Sequence, residues 1–105
     1  MSVYDIHERG IVAATERALR AINRDKVYLT IDIDGVDPAY APGVGNPEPF
    51  GLAPLQVKKV IGLLAPHLVG MDLNEVSPAW DFGQTSLLAA RLIREAIMCV
   101  GEARA

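Results

Sequence analysis

One cysteine, Cys99, in 105 residues excludes an internal disulfide, so packing alone must hold this chain together. Cys99 lies in an apolar stretch and reads as a small core residue. There are only two histidines, His7 and His67, and neither belongs to a metal-binding spacing. His7 falls among charged residues and His67 follows a proline, so both are expected near the surface. No apolar run is long enough to span a bilayer and no leader-like segment opens the chain, which makes the cytoplasm the expected location. The formal net charge is −3 and the basic residues are scattered, which leaves no nucleic-acid footprint. Internal repeats, low-complexity segments and linkers are also lacking. These absences argue against a disulfide scaffold, a membrane span, a nucleic-acid binder and a repeat protein.

What remains is apolar. Half of the residues are hydrophobic and the mean hydropathy is +0.21, rich for so short a soluble unit, so part of this surface expects a cover. Residues 1–105 amount to a single domain's worth of chain, able to bury about two-thirds of its unfolded surface. The periodicities give α, β, long loop, α, β, α. Asp5, with Glu8 three residues on, predicts a capped helix running to about Asn23 with Ile11, Thr15, Ala18, Leu19 and Ile22 inward. A strand is predicted over Val27–Ile33 and a loop over Asp34–Leu52. Pro54 opens a helix with a stripe of Val57, Val60, Ile61 and Leu64, and Pro66 closes it. A second strand is predicted over Leu68–Val76, then a helix from Thr85 to Val100 that is apolar almost all round. Two strands joined by a helix should run parallel, giving an α/β fold with a parallel sheet.

The chemistry gathers at the end of the first strand. Asp32 and Asp34 are two apart, so on a strand they would aim to one side while Ile31 and Ile33 face the other. Two ionised carboxylates so close repel and are costly to bury without a cation. Pro38, Pro42, Gly43, Gly45, Pro47 and Pro49 then forbid regular structure, so an irregular loop leaves the carboxyl end of the strand, where open α/β sheets bind ligands. Asp37, followed by Pro38, is expected to brace that loop through backbone amides. Asp72 reads as a structural hydrogen-bonding group, and Trp80 and Phe82 as core or interface packing.

The run from Thr30 to Pro38, TIDIDGVDP, with Ala41–Pro49 and Gly51 after it, resembles the aspartate-rich signature of the ureohydrolase family, the arginases and agmatinases. Gly70–Pro78, GMDLNEVSP, is similar to the family's later strand, with a glutamate just before a small residue and proline. Ala41-Pro42-Gly43 and Pro47-Glu48-Pro49 look more like agmatinases than arginases. The likeness covers nearly the whole chain. It implies a three-layer α/β/α arginase-like fold and hydrolysis of a guanidino compound, agmatine first among candidates, to urea and an amine at a pair of Mn²⁺ ions. By this resemblance Asp32 bridges both ions, Asp34 binds one, Glu75 receives the substrate guanidinium, and Asn46, where many relatives carry threonine, makes a polar contact to substrate or loop. Manganese suits carboxylate and imidazole ligands and acidifies water.

The family's upstream histidine and aspartate motifs do not occur in this sequence. The resemblance therefore reaches only the C-terminal part of a ureohydrolase, and the expectation is a fragment or split enzyme, inactive alone. Its implied partners are a guanidino small molecule and either further copies of itself or an N-terminal half. The non-enzymatic alternative is a truncated remnant or assembly element. Ile31–Val36 also resembles the opening motif of haloacid-dehalogenase phosphatases, whose first aspartate is a nucleophile. That family needs a downstream lysine and a paired acidic motif, for which Gly70–Glu75 offers a different pattern.

Overall fold

The computed structural model describes residues 1–105. The elements run α1 (Val3–Arg9), α2 (Ile11–Ile22), β1 (Val27–Asp32), α3 (Pro54–Leu64), β2 (Leu68–Asn74) and α4 (Gln84–Ala103), with 3₁₀ turns at Ile33–Gly35, Ala65–His67 and Pro78–Trp80. The single helix expected up to Asn23 is two. Gly10 has φ +86° and ψ 152°, an extended left-sided conformation that a residue with a Cβ resists, and it separates α1 from α2. Ser2, not Asp5, is the N-cap: its hydroxyl accepts the Asp5 N–H while the Asp5 carboxylate accepts the Ser2 N–H. Asn23, left-handed at φ 48°, ends α2. Pro54 opens α3 as expected, and Gln56 accepts the Ala53 N–H at 2.8 Å to close the helix start.

Strands β1 and β2 pair directly and in parallel, with Leu29 opposite Met71, Ile31 opposite Leu73 and Asp32 opposite Asn74. Period-2 alternation then gives the sheet two unlike faces. One carries Val27, Leu29, Ile31, Met71 and Leu73 toward the helices. Ile31, Ile33, Val36, Ala41, Val44, Val57, Ile61, Leu92 and Ala96 form the core there. The opposite face carries Tyr28, Thr30 and Asp32 beside Gly70, Asp72 and Asn74, and it is open. Asp72 accepts from the Thr30 hydroxyl and the Asn74 amide, the structural role expected of it. The Tyr28 ring lies against Gly70, where a Cβ would stand 2.8 Å from a ring carbon. The thinnest dimension is 17 Å, room for one sheet and one helical layer, whereas another layer would add about 10 Å. This chain therefore builds two layers of an α/β architecture and leaves the second sheet face bare.

Helix α4 buries only Thr85, Ala89, Leu92 and Ala96, while Leu87, Ile97 and Met98 face outward. Trp80 and Phe82 are exposed rather than in the core, and Cys99 is half-buried. No helix is long and apolar enough to cross a membrane.

The proline- and glycine-rich loop is tightly held. Asp37 accepts the Ala39 N–H at 2.9 Å and the Gly51 N–H at 3.1 Å, as its place before Pro38 led us to expect. These bonds, the Ala39 one foremost, hold its carboxyl below the ordinary range. Across the same seam Asp37 N–H donates to Leu52 O and Leu52 N–H to Gly35 O. A Cβ on Gly51 would stand 2.5 Å from the Asp37 nitrogen, which is backbone and cannot step aside. Gly51→Ala should therefore destabilise the chain by about 1–3 kcal/mol, read as a lowered urea midpoint with unchanged m-value.

Candidate metal and substrate site

Because β1 and β2 are parallel and in register at their last residues, their carboxyl ends form one edge of the molecule. Asp32 is the last residue of β1 and is exposed. Asp34 is not on the strand, as alternation alone would have it, but one step into the 3₁₀ turn Ile33–Gly35. Its N–H donates to Asp32 Oδ1 at 3.0 Å, an Asx turn that folds the two aspartates together. Ile33 between them is fully buried and pins the turn to the core. Asp34 Oδ1 is buried with no hydrogen-bond partner in the protein. Burial first, and the charge of Asp32 second, push the Asp34 carboxyl above its ordinary value. A carboxylate left unsatisfied beside a second carboxylate is the donor chemistry that a hard divalent cation satisfies.

Glu75 also lies off its strand. It follows Asn74, the residue paired with Asp32, so it stands at the same sheet edge as the aspartates. Its φ is +73°, one of three positive values at non-glycine residues, the others being Asn23 and Phe50. Strained backbone of this kind collects at functional sites. Asn46 is exposed two residues beyond Val44, whose antiparallel bridge to Val76 lays that part of the loop beside the end of β2. The fold thus brings Asp32, Asp34 and Glu75 to one edge, with the Asn46 segment alongside. His7 and His67 sit elsewhere, in α1 and ahead of β2. No three His, Cys, Asp or Glu side chains converge closely enough to hold an ion between them.

Sequence reasoning missed a polar cluster behind this edge. Asp81 accepts the Gly83 N–H on one oxygen and the Thr85 N–H on the other, both at 2.9 Å, and so caps α4. Gly43 N–H donates to the buried Thr85 hydroxyl at 2.8 Å. The only signal was an aspartate four residues before a threonine at a helix start.

The paired carboxylates stand at the carboxyl edge of a parallel sheet, the place where open α/β sheets receive their ligands. The chain belongs to the arginase family, whose family model matches residues 1–99. It is 51% identical over 76 residues to a mitochondrial agmatinase of Gallus gallus, covering 70% of this chain and 22% of that protein. It is 53% identical over 76 residues to a guanidinobutyrase of Pseudomonas aeruginosa, covering 70% and 24%. An agmatine ureohydrolase of Thermoplasma volcanium superposes with a TM-score of 0.89 at 44% identity, over 95% of this chain and 33% of that one. The fold is arginase-like, and the chain spans about a quarter to a third of the length of these relatives.

The raised Asp34 carboxyl carries a signed consequence. Its ionised form is disfavoured in the fold, so metal-free stability declines as pH rises through the folded value, and the two states differ little below the ordinary aspartate pKa of about 3.9. Asp34→Asn removes that charge. In the presence of a chelator its urea midpoint should exceed the parent's at pH 7 and converge with it near pH 3.

Proposed function

We propose that this chain provides the aspartate and glutamate side of a manganese-dependent hydrolase that splits a guanidino compound into urea and an amine. The observation that carries the reading is the unsatisfied Asp34 oxygen beside Asp32, at the sheet edge where Glu75 also stands. Asp32 and Asp34 would hold the metal. Bound manganese would supply Lewis acidity and acidify water. Ile33, buried between the aspartates, keeps their turn from opening, so both carboxylates are presented together.

Glu75 would accept the substrate guanidinium, whose planar fork of N–H donors a carboxylate matches in bidentate fashion. Asn46 would contribute a polar contact at the same mouth. Membership of the family supports this assignment, as do relatives named for agmatine and for guanidinobutyrate, two compounds that share the guanidinium and differ at the far end. Agmatine is the substrate we favour.

Two carboxylates cannot complete two manganese shells of about six ligands each, and no third His, Cys, Asp or Glu joins them. Turnover therefore requires donors beyond this site, from an N-terminal ureohydrolase half or from a homo-oligomer, in keeping with the apolar surface left open on α4. The test is urea release from agmatine and arginine with excess manganese, by the chain alone and after adding an N-terminal ureohydrolase half. Activity only after mixing supports a split site; robust turnover by the chain alone would refute the need for outside donors.

In a complete enzyme carrying this segment the carboxylates should separate by role. Asp32→Asn should lose manganese together with activity. Glu75→Gln should keep manganese and lose about 10²-fold or more in kcat/KM. Metal analysis of the two purified variants, alongside their kinetics, checks the assignment, and equal manganese loss in both would remove Glu75 from the substrate role.

A further inference from the structure

Glu75 is exposed, yet its backbone is held at a positive φ that few residues with a side chain adopt. Something must hold it. Upstream, Asn74 is fixed by pairing with Asp32. Downstream, Val76 bridges to Val44 and the Ser77 N–H donates to Gly43 O at 2.7 Å. The position of Gly43 thus sets where the chain must go after Glu75.

Gly43 is itself gripped from the other side. Its N–H donates to Thr85 Oγ1 at 2.8 Å, and Thr85 is completely buried, so water cannot replace that bond. The Asp81 carboxylate accepts the Thr85 N–H at 2.9 Å, and its bonding to Thr85 is the largest of the effects that keep Asp81 below its ordinary range. The Asp81 side chain fills the space where residue 43 would carry a Cβ: an added carbon would lie 2.6 Å from Asp81 Oδ2. One peptide, at Gly43, is therefore clamped between the start of α4 and Ser77, two residues past Glu75.

We propose that Thr85 and Asp81 are positioning residues for Glu75, acting through the backbone of Gly43. The inference rests on the reading of Glu75 as the guanidinium partner, and it adds that the first turn of α4 sets the aim of its carboxylate. Bidentate contact with a guanidinium leaves little tolerance for a rotated carboxylate, so loosening Gly43 costs orientation before it costs metal.

The chain itself allows a test without turnover. The Glu75 φ is read from its HN–Hα coupling, and the grip on Gly43 from native-state exchange of the Gly43 and Ser77 amides. Thr85→Val should speed both amides at least about tenfold, as loss of a buried hydrogen bond would, and should move the Glu75 coupling from the parent value. Thr85→Ser should keep all three. Asp81→Asn should act in the same direction to a smaller extent, and it serves if Thr85→Val does not fold. In a complete, manganese-loaded enzyme carrying this segment, Thr85→Val should lower kcat/KM about 10- to 100-fold per folded molecule with manganese retained, and Thr85→Ser should restore it. An unchanged Glu75 coupling in Thr85→Val, or parental kcat/KM per folded molecule, would overturn the proposal. Glu75→Gln separates the layers. If it fails while Thr85→Val turns over normally, the positioning role alone is wrong; if Glu75→Gln is inert in its effect, the guanidinium reading and the positioning role fall together.

Discussion

Parallel pairing of β1 with β2, with Asp32 directly opposite Asn74, is the constraint on which everything at this edge depends. Had the strands run antiparallel, the aspartates and Glu75 would stand at opposite ends of the sheet. A parallel pair requires a long crossover, which α3 provides, and that helix also covers the apolar face through Val57, Ile61 and Leu64. The same register sends Tyr28, Thr30, Asp72 and Asn74 to the other face, where Thr30 and Asn74 bond to Asp72 rather than pack into a core. Packing and site geometry are thus two results of one pairing.

The loop between β1 and α3 turns that register into a rigid edge. Its prolines and glycines remove regular structure, and what replaces it is a set of bonds from loop backbone N–H groups to the side chains of Asp37 and Thr85. Gly51 and Gly43 are the places where the Asp37 backbone and the Asp81 carboxylate approach too closely for any Cβ. The cost of this tightness is visible in the left-handed Glu75 and in the unsatisfied Asp34 oxygen. Both lie at the end of the sheet where ligands bind in α/β proteins, and neither lies in the core.

Much of this was legible in the residues. Runs of β-branched and aliphatic residues gave both strands, the period of Val57, Ile61 and Leu64 gave α3, and Asp-Pro spacing gave the brace at Asp37. Alternation failed at the strand ends, because Asp34 and Glu75 leave the strand through an Asx turn and a positive φ, which depend on hydrogen bonds rather than on hydrophobic pattern. The break at Gly10 was hidden by helical periodicity that continues on both sides of it. The outward-facing residues of α4 misled in the opposite sense: an all-round apolar helix says that burial is expected without saying that this chain performs it. The Gly43, Asp81 and Thr85 cluster joins residues about forty apart, beyond the reach of any local pattern.

With two strands, each has an unpaired side, so each can accept another extended segment in the manner of a growing sheet. At the β2 side the chain meets this hazard with a charge. Arg104, just past the end of α4, donates through Nη2 to Leu68 O at 2.8 Å and occupies the first carbonyl that an incoming strand would seek. A cationic side chain on an edge is a common guard against aggregation, and here it stands where β2 begins and where Val69 is exposed. The arginine after α4 thus fastens the last helix to the first residue of β2, and a strand added on that side would first have to displace a charged hydrogen bond.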